Sequence, residues 1–187
     1  CGVIALDYQG VKGVATALGH APVAAMIDPE AGSRLAITEA LTNIALAPIE
    51  GGLRGVSLSA NWMWPCKNAG EDARLYRAVK AASDYSLALG INIPTGKDSL
   101  SMTQKYKNGE SVYSPGTVII TSGGEVTDVK KCVTAALKHS ESQIVYVDMS
   151  RGEFGLAGST FAQVRNKIGG TLPSVDAEYF AKADFDS

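Results

Sequence analysis

The chain has 187 residues, is 45% hydrophobic and 19% charged, and carries a formal net charge of −2, which fits a folded protein with one good core or two small domains. A pI near 5.7 excludes the electrostatic footprint of a nucleic-acid binder, and no apolar run approaches the roughly 18 residues that a membrane helix needs. Cys1, Cys66 and Cys132 are odd in number and widely spaced, without paired metal spacing, and point to a reduced, cytoplasmic setting.

In chain order, residues 1–6 and 14–17 read as short strands around a turn at Gly10–Gly13. Asp28-Pro29 predicts a helix start, an N-cap followed by proline at the first helical position. The helix should run to about Ala47, stopped by Pro48, with Leu35, Ile37, Leu41, Ile44 and Ala45 as its buried stripe. Residues 56–58 form the next predicted strand. Glu71-Asp72 then open a second helix over 73–89, with acids at its positive end and Gly90 as its stop. Residues 91–93 are a strand leading into a loop at Gly96, and residues 106–113 a hairpin turning at Asn108-Gly109. A β-branched strand at 117–121 precedes Gly123-Gly124, the expected seam before a second unit. That unit should carry strands at 125–126 and 143–148 and a helix across 156–167. Strands alternating with helices favour an α/β or α+β architecture. The strand-like opening, without initiator methionine or signal peptide, and the unfinished end read as a piece cut from a larger polypeptide.

Two strand ends carry the chemistry: Gly96-Lys97-Asp98-Ser99-Leu100-Ser101-Met102, and Ser59-Ala60-Asn61-Trp62-Met63-Trp64-Pro65-Cys66. Ligands of α/β folds gather where the sheet holds such loops rigid. A phosphate-binding P-loop is ruled out by spacing, because Gly90 to Gly96 encloses five residues and Asp98 takes the hydroxyl position. Lys97 can neutralise a phosphate as a point charge, and Asp98 can hold a metal or accept from a ligand hydroxyl. A simple Lys97–Asp98 turn contact is the plainer alternative. Trp62 and Trp64 either line a pocket or cap a core.

Glu39 and Asn43 lie four apart and emerge on one helix face. A carboxylate and an amide oxygen suit a hard cation such as Mg²⁺, although an idle solvent-facing pair has the same spacing. His20 and His139 have no nucleophile in sequence reach, and Cys66 has no evident base. No residue is nominated as catalytic.

Four segments arrive in order: Ser33-Arg-Leu-Ala-Ile-Thr-Glu-Ala-Leu-Thr-Asn43, Leu58-Ser-Ala-Asn-Trp-Met-Trp64, Gly70-Glu-Asp-Ala-Arg-Leu-Tyr76 and Pro94-Thr-Gly-Lys-Asp-Ser-Leu-Ser-Met102. Together with Ser114-Pro-Gly-Thr-Val-Ile-Ile120 and Leu156-Ala-Gly-Ser159, they resemble the large, glutamine-dependent form of phosphoribosylformylglycinamidine synthase across nearly the whole chain. The aminoimidazole ribonucleotide (AIR) synthases, selenophosphate synthases and thiamine-phosphate kinases share that fold but not the Ser-Ala-Asn-Trp-Met loop.

The resemblance implies a fragment of the second AIR-synthase-like A/B unit. Residues 1–122 would be an A-type domain with a mixed sheet and packed helices, and 123–187 the start of a B-type α/β domain. It implies an ATP-dependent ligase of purine biosynthesis that turns formylglycinamide ribonucleotide into its amidine, with ammonia drawn from glutamine at a separate glutaminase domain. It further implies an auxiliary ATP/ADP and Mg²⁺ site with Glu39 and Asn43 as metal ligands, and Asn61, Lys97, Asp98 and Ser99 near nucleotide or substrate. The expected partners are the remaining domains of the same polypeptide, with neither nucleic acid nor membrane. A purely structural nucleotide-binding scaffold is the alternative.

Overall fold

The computed structural model describes residues 1–137 and 143–185; His139 lies outside them. Its centre is a mixed five-stranded sheet of order β1-β2-β7-β3-β4. The strands are β1 (Gly2–Ala5), β2 (Gly13–His20), β3 (Ser57–Met63), β4 (Asn92–Ser99) and β7 (Thr117–Val126). All neighbours pair antiparallel except β3 and β4, which are parallel. A parallel pair needs a long crossover, and α3 (Glu71–Leu89) supplies it. A separate hairpin, β5 (Thr103–Lys105) with β6 (Ser111–Tyr113), turns where Asn108-Gly109 predicted it.

Helices cover one face of the sheet. In β2 the residues alternate strictly, with Gly13, Ala15, Ala17 and Gly19 buried and Val14, Thr16, Leu18 and His20 exposed. The buried set is small, so α2 (Pro29–Ile44) lies close against the strand. A Cβ on Gly19 would stand 1.9 Å from the Ala36 carbonyl oxygen. The helix starts as the sequence predicts, with Asp28 Oδ1 accepting from the Glu30 N–H at 2.9 Å. Of its expected stripe, Ile37, Leu41 and Ile44 are fully buried, together with Leu58, Ile120 and Val126. Ser122 is buried among them, and its hydroxyl donates to the Ala40 carbonyl at 2.8 Å, which satisfies it and ties β7 to α2.

Several elements depart from expectation. The six-residue α1 (Pro22–Ile27) was too short to show a period. Strands β3 and β4 run on through Asn61-Trp62-Met63 and Gly96-Lys97-Asp98-Ser99, because each finds a neighbour to pair with across that whole length. Gly123 and Gly124 lie inside β7, paired with Thr16 and Ala15, so Glu125 and Val126 end that strand instead of starting another. Residues 143–148 form no strand. The helix expected over 156–167 contracts to α4 (Thr160–Val164), with Ser159 Oγ accepting from the Ala162 N–H at its start. The last helix, α5 (Ala177–Phe185), was not expected, and its Phe180 enters the core beneath the sheet unit. No helix among the described residues is long and apolar enough to cross a membrane.

Candidate functional site

The sheet face opposite the helices is open, and it holds three of the four predicted ligand-binding residues. Leu58 and Ala60 of β3 are buried under the helices, so Ser57, Ser59 and Asn61 point the other way. Asn61 pairs in register with Lys97 of β4, and Met63 with Ser99, which places Asn61, Lys97 and Ser99 together on that open face. Lys97 Nζ donates to Ser99 Oγ at 3.0 Å. The two strands are drawn close at this point, since a Cβ on Gly96 would meet the Ala60 carbonyl oxygen at 2.2 Å. Asn61 Oδ1 is enclosed without a hydrogen-bond partner among the described residues. An enclosed amide oxygen without a donor costs roughly 1–3 kcal/mol, and a donor brought by a ligand would relieve it.

Asp98 does not join them. Consecutive strand residues point to opposite faces, so the Lys97–Asp98 turn contact is not formed. Asp98 lies instead in reach of Cys66, whose thiol is held above its ordinary pKa by burial first and then by the negative charges of Asp72, Glu71 and Asp98. A thiol protonated in this way is a poor nucleophile. The two indoles are structural: Trp62 packs against the core, and the buried Trp64 donates its Nε1–H to Glu71 Oε2 at 2.8 Å.

Glu39 and Asn43 form a second group, at the edge of the sheet. Strand β1 pairs with β2 only as far as Thr16, leaving the next backbone groups of β2 without a strand neighbour on that side. Glu39 Oε2 accepts from the His20 N–H at 2.7 Å, and Asn43 Nδ2 donates to the Leu18 carbonyl at 2.9 Å. These bonds leave Glu39 Oε1 and Asn43 Oδ1, a carboxylate and an amide oxygen, as the donors a hard cation prefers. The pair is part of a coordination shell and no more: no group of three His, Cys, Asp or Glu that could hold a metal occurs among the described residues. Strands β7 and β3 lie between this edge and β4, so the two groups are separate in the sheet.

Sequence reasoning nominated no residue from the second unit here, yet the structure supplies some. A cavity of about 320 Å³ is lined by His20 and Glu39 on one side and by Ser159, Thr160 and Gln163 on the other. Gly158 makes the approach possible, because even a Cβ there would stand 3.0 Å from Ala24 Cα. The available signal was the Leu156-Ala-Gly-Ser159 segment, where two small residues precede a helix-capping serine.

A family profile described as the FGAR-AT PurM_N-like domain matches residues 1–125 of the 187. Solved structures of PurL from Thermotoga maritima share the fold. The complex with ATP is 16% identical at a TM-score of 0.56 over 70% of this chain and 21% of the other. The PurLQS structure gives 16% and 0.56 over 72% and 21%, and the complex with FGAR gives 13% and 0.50 over 67% and 17%. The chain therefore spans about a fifth of the length of the structures it resembles. By the extent of the profile match, it belongs to the FGAR-AT PurM_N-like family.

Proposed function

We propose that this member of the FGAR-AT PurM_N-like family is part of an ATP- and glutamine-dependent ligase of purine biosynthesis. The parent enzyme would convert formylglycinamide ribonucleotide to its amidine. The observation that carries the reading is the profile match across the whole sheet-and-helix unit, residues 1–125. The recorded ATP and FGAR complexes of T. maritima PurL agree with it. Under this reading the unit up to β7 is the A-type domain. The B-type domain begins after Val126 rather than at 123, because β7 is unbroken across that point. Ammonia from glutamine and the remaining domains of the polypeptide complete the reaction, and the 187-residue chain alone makes no amidine.

Each group has its own task. Lys97, Ser99 and Asn61 on the open face hold an anionic, hydroxyl-bearing ligand: the ammonium neutralises phosphate, and the Asn61 and Ser99 side chains bind hydroxyl or base. Glu39 and Asn43 supply two oxygens toward Mg²⁺, with further oxygens from outside the described residues, and Ser159 and Thr160 border the cavity that Glu39 lines. When bound, Mg²⁺ neutralises nucleotide phosphate charge. Asp98, on the opposite face, falls outside this ligand set.

Lys97→Met in the parent enzyme tests the reading, because it keeps the aliphatic stem and removes the charge. We expect kcat/KM to fall by about 1–3 kcal/mol in transition-state stabilisation, with the melting temperature nearly unchanged. Intact kinetics with a lower melting temperature would make Lys97 a structural residue. The alternative, a non-catalytic nucleotide-binding scaffold, draws on Glu39 and Asn43 capping the β2 backbone. It predicts that Glu39→Ala abolishes the rise in melting temperature caused by Mg²⁺ and ADP while turnover persists.

A further inference from the structure

On the helix layer, away from the open sheet face, α2 and α3 enclose a groove of about 440 Å³ whose lining includes Glu30, Arg34, Arg77, Lys80, Asp84 and Tyr85. Its floor is fixed: Tyr85 is buried, and its hydroxyl lies 3.0 Å from Thr38 Oγ1, which itself donates to the Arg34 carbonyl at 2.9 Å. The charges around it are unevenly matched. Lys80 Nζ is paired with Asp84 Oδ2 at 2.6 Å, and the charge of Glu30 also acts on that ammonium. Asp84 is thus engaged by Lys80. Neither Arg34 nor Arg77 has a carboxylate within ion-pair distance among the described residues, and neither guanidinium makes a hydrogen bond there.

Two guanidiniums in one groove repel each other unless an anion lies between them. Each presents a planar fork of N–H donors that matches two oxygens of a phosphate group. The groove has the volume of a small-molecule site. A run of carboxylates laid along it would meet both Glu30 and Asp84, whereas a compact phosphate group between Arg34 and Arg77 makes fewer such contacts. We propose that this groove is an oxyanion site for a small phosphate-bearing ligand, held by Arg34 and Arg77. It is distinct from both groups described above.

Inorganic pyrophosphate is the probe. It is titrated into the 187-residue chain at constant ionic strength, with calorimetry and the Nε–Hε resonances of both arginines as readouts. We expect saturable shifts of both resonances, with an affinity that weakens at least tenfold in Arg34→Gln and in Arg77→Gln and is partly retained in Arg77→Lys; Lys97→Met can lower the calorimetric heat of the open face but leaves these arginine shifts in place. Thermal melting checks that each variant is folded. The absence of saturable arginine shifts overturns the proposal, as do shifts of the remaining arginine that keep their affinity in both Gln variants or disappear with Lys97→Met. Binding of hexaglutamate where pyrophosphate does not bind would overturn it too, by making the groove a docking surface for acidic peptide.

Discussion

Strand β7 and residues 143–148 are both rich in β-branched side chains, yet they meet opposite fates. β7 has β2 on one side and β3 on the other, and its Ile120 and Val126 are fully buried. Residues 143–148 lie in coil, with Ile144 at 88% and Tyr146 at 83% exposure. The contrast extends to their surroundings. Residues up to Val126 hold the five-stranded sheet and its two long helices, whereas the described residues beyond it hold two short α-helices, one 3-10 turn and no strand. Strand propensity is a tendency to fit a pleated, half-buried surface, and it is expressed only where a neighbouring edge offers hydrogen bonds and a layer offers burial.

Phe180 is the sharpest point at which to break this division, because it reaches from the later segment into the core and is 3% exposed. Phe180→Ala should lower the unfolding free energy by about 3–5 kcal/mol in urea. Val145→Thr, an exposed change in the same segment, should stay within about 0.5 kcal/mol. If both variants are equally mild, the later segment contributes nothing to the core and the two regions are energetically separate.

A smaller effect is expected inside the sheet unit. Gly19→Ala forces a methyl group into the backbone of α2 and should cost about 1–3 kcal/mol. The lost stability should come with faster amide hydrogen exchange at His20, since moving α2 also moves Glu39 off that N–H. Slow exchange in a destabilised variant would mean that Glu39 holds the strand edge independently of the helix seat.

The smallest effect lies at Cys66, half-buried beside α3. Burial and three neighbouring carboxylates raise its thiol above the ordinary 9.0. The native state therefore keeps its proton to higher pH than the unfolded chain. This contribution to stability is fully present below the unfolded value and is lost as pH rises through the native one. Iodoacetamide labelling mapped by mass spectrometry should find Cys66 slow at neutral pH and faster only on the alkaline side. Rapid labelling at neutral pH would show an activated thiol and contradict the carboxylate environment.

Much of this molecule was legible in one dimension. Asp28-Pro29 and Gly90 mark helix ends by local capping chemistry, and Asn108-Gly109 marks a turn, so each is determined by a few adjacent residues and appears where expected. The spacing of Ile37, Leu41 and Ile44 likewise declares a buried face. The i,i+4 placement of Glu39 and Asn43 on α2 is local too, and the structure keeps them side by side against the backbone of β2. What the sequence could not supply was pairing. Whether Gly96-Lys97-Asp98-Ser99 is loop or strand depends on β3 lying alongside, and that pairing separates Lys97 from Asp98 by placing them on opposite faces. Gly123-Gly124 resembles a seam until β2 pairs across it. The meeting of Glu39 with Ser159 and Thr160 joins residues more than a hundred positions apart. Capping, turns and periodicity act over a few residues and are written in order along the chain. Register, burial and the company a side chain keeps belong to contacts that only the folded structure brings about.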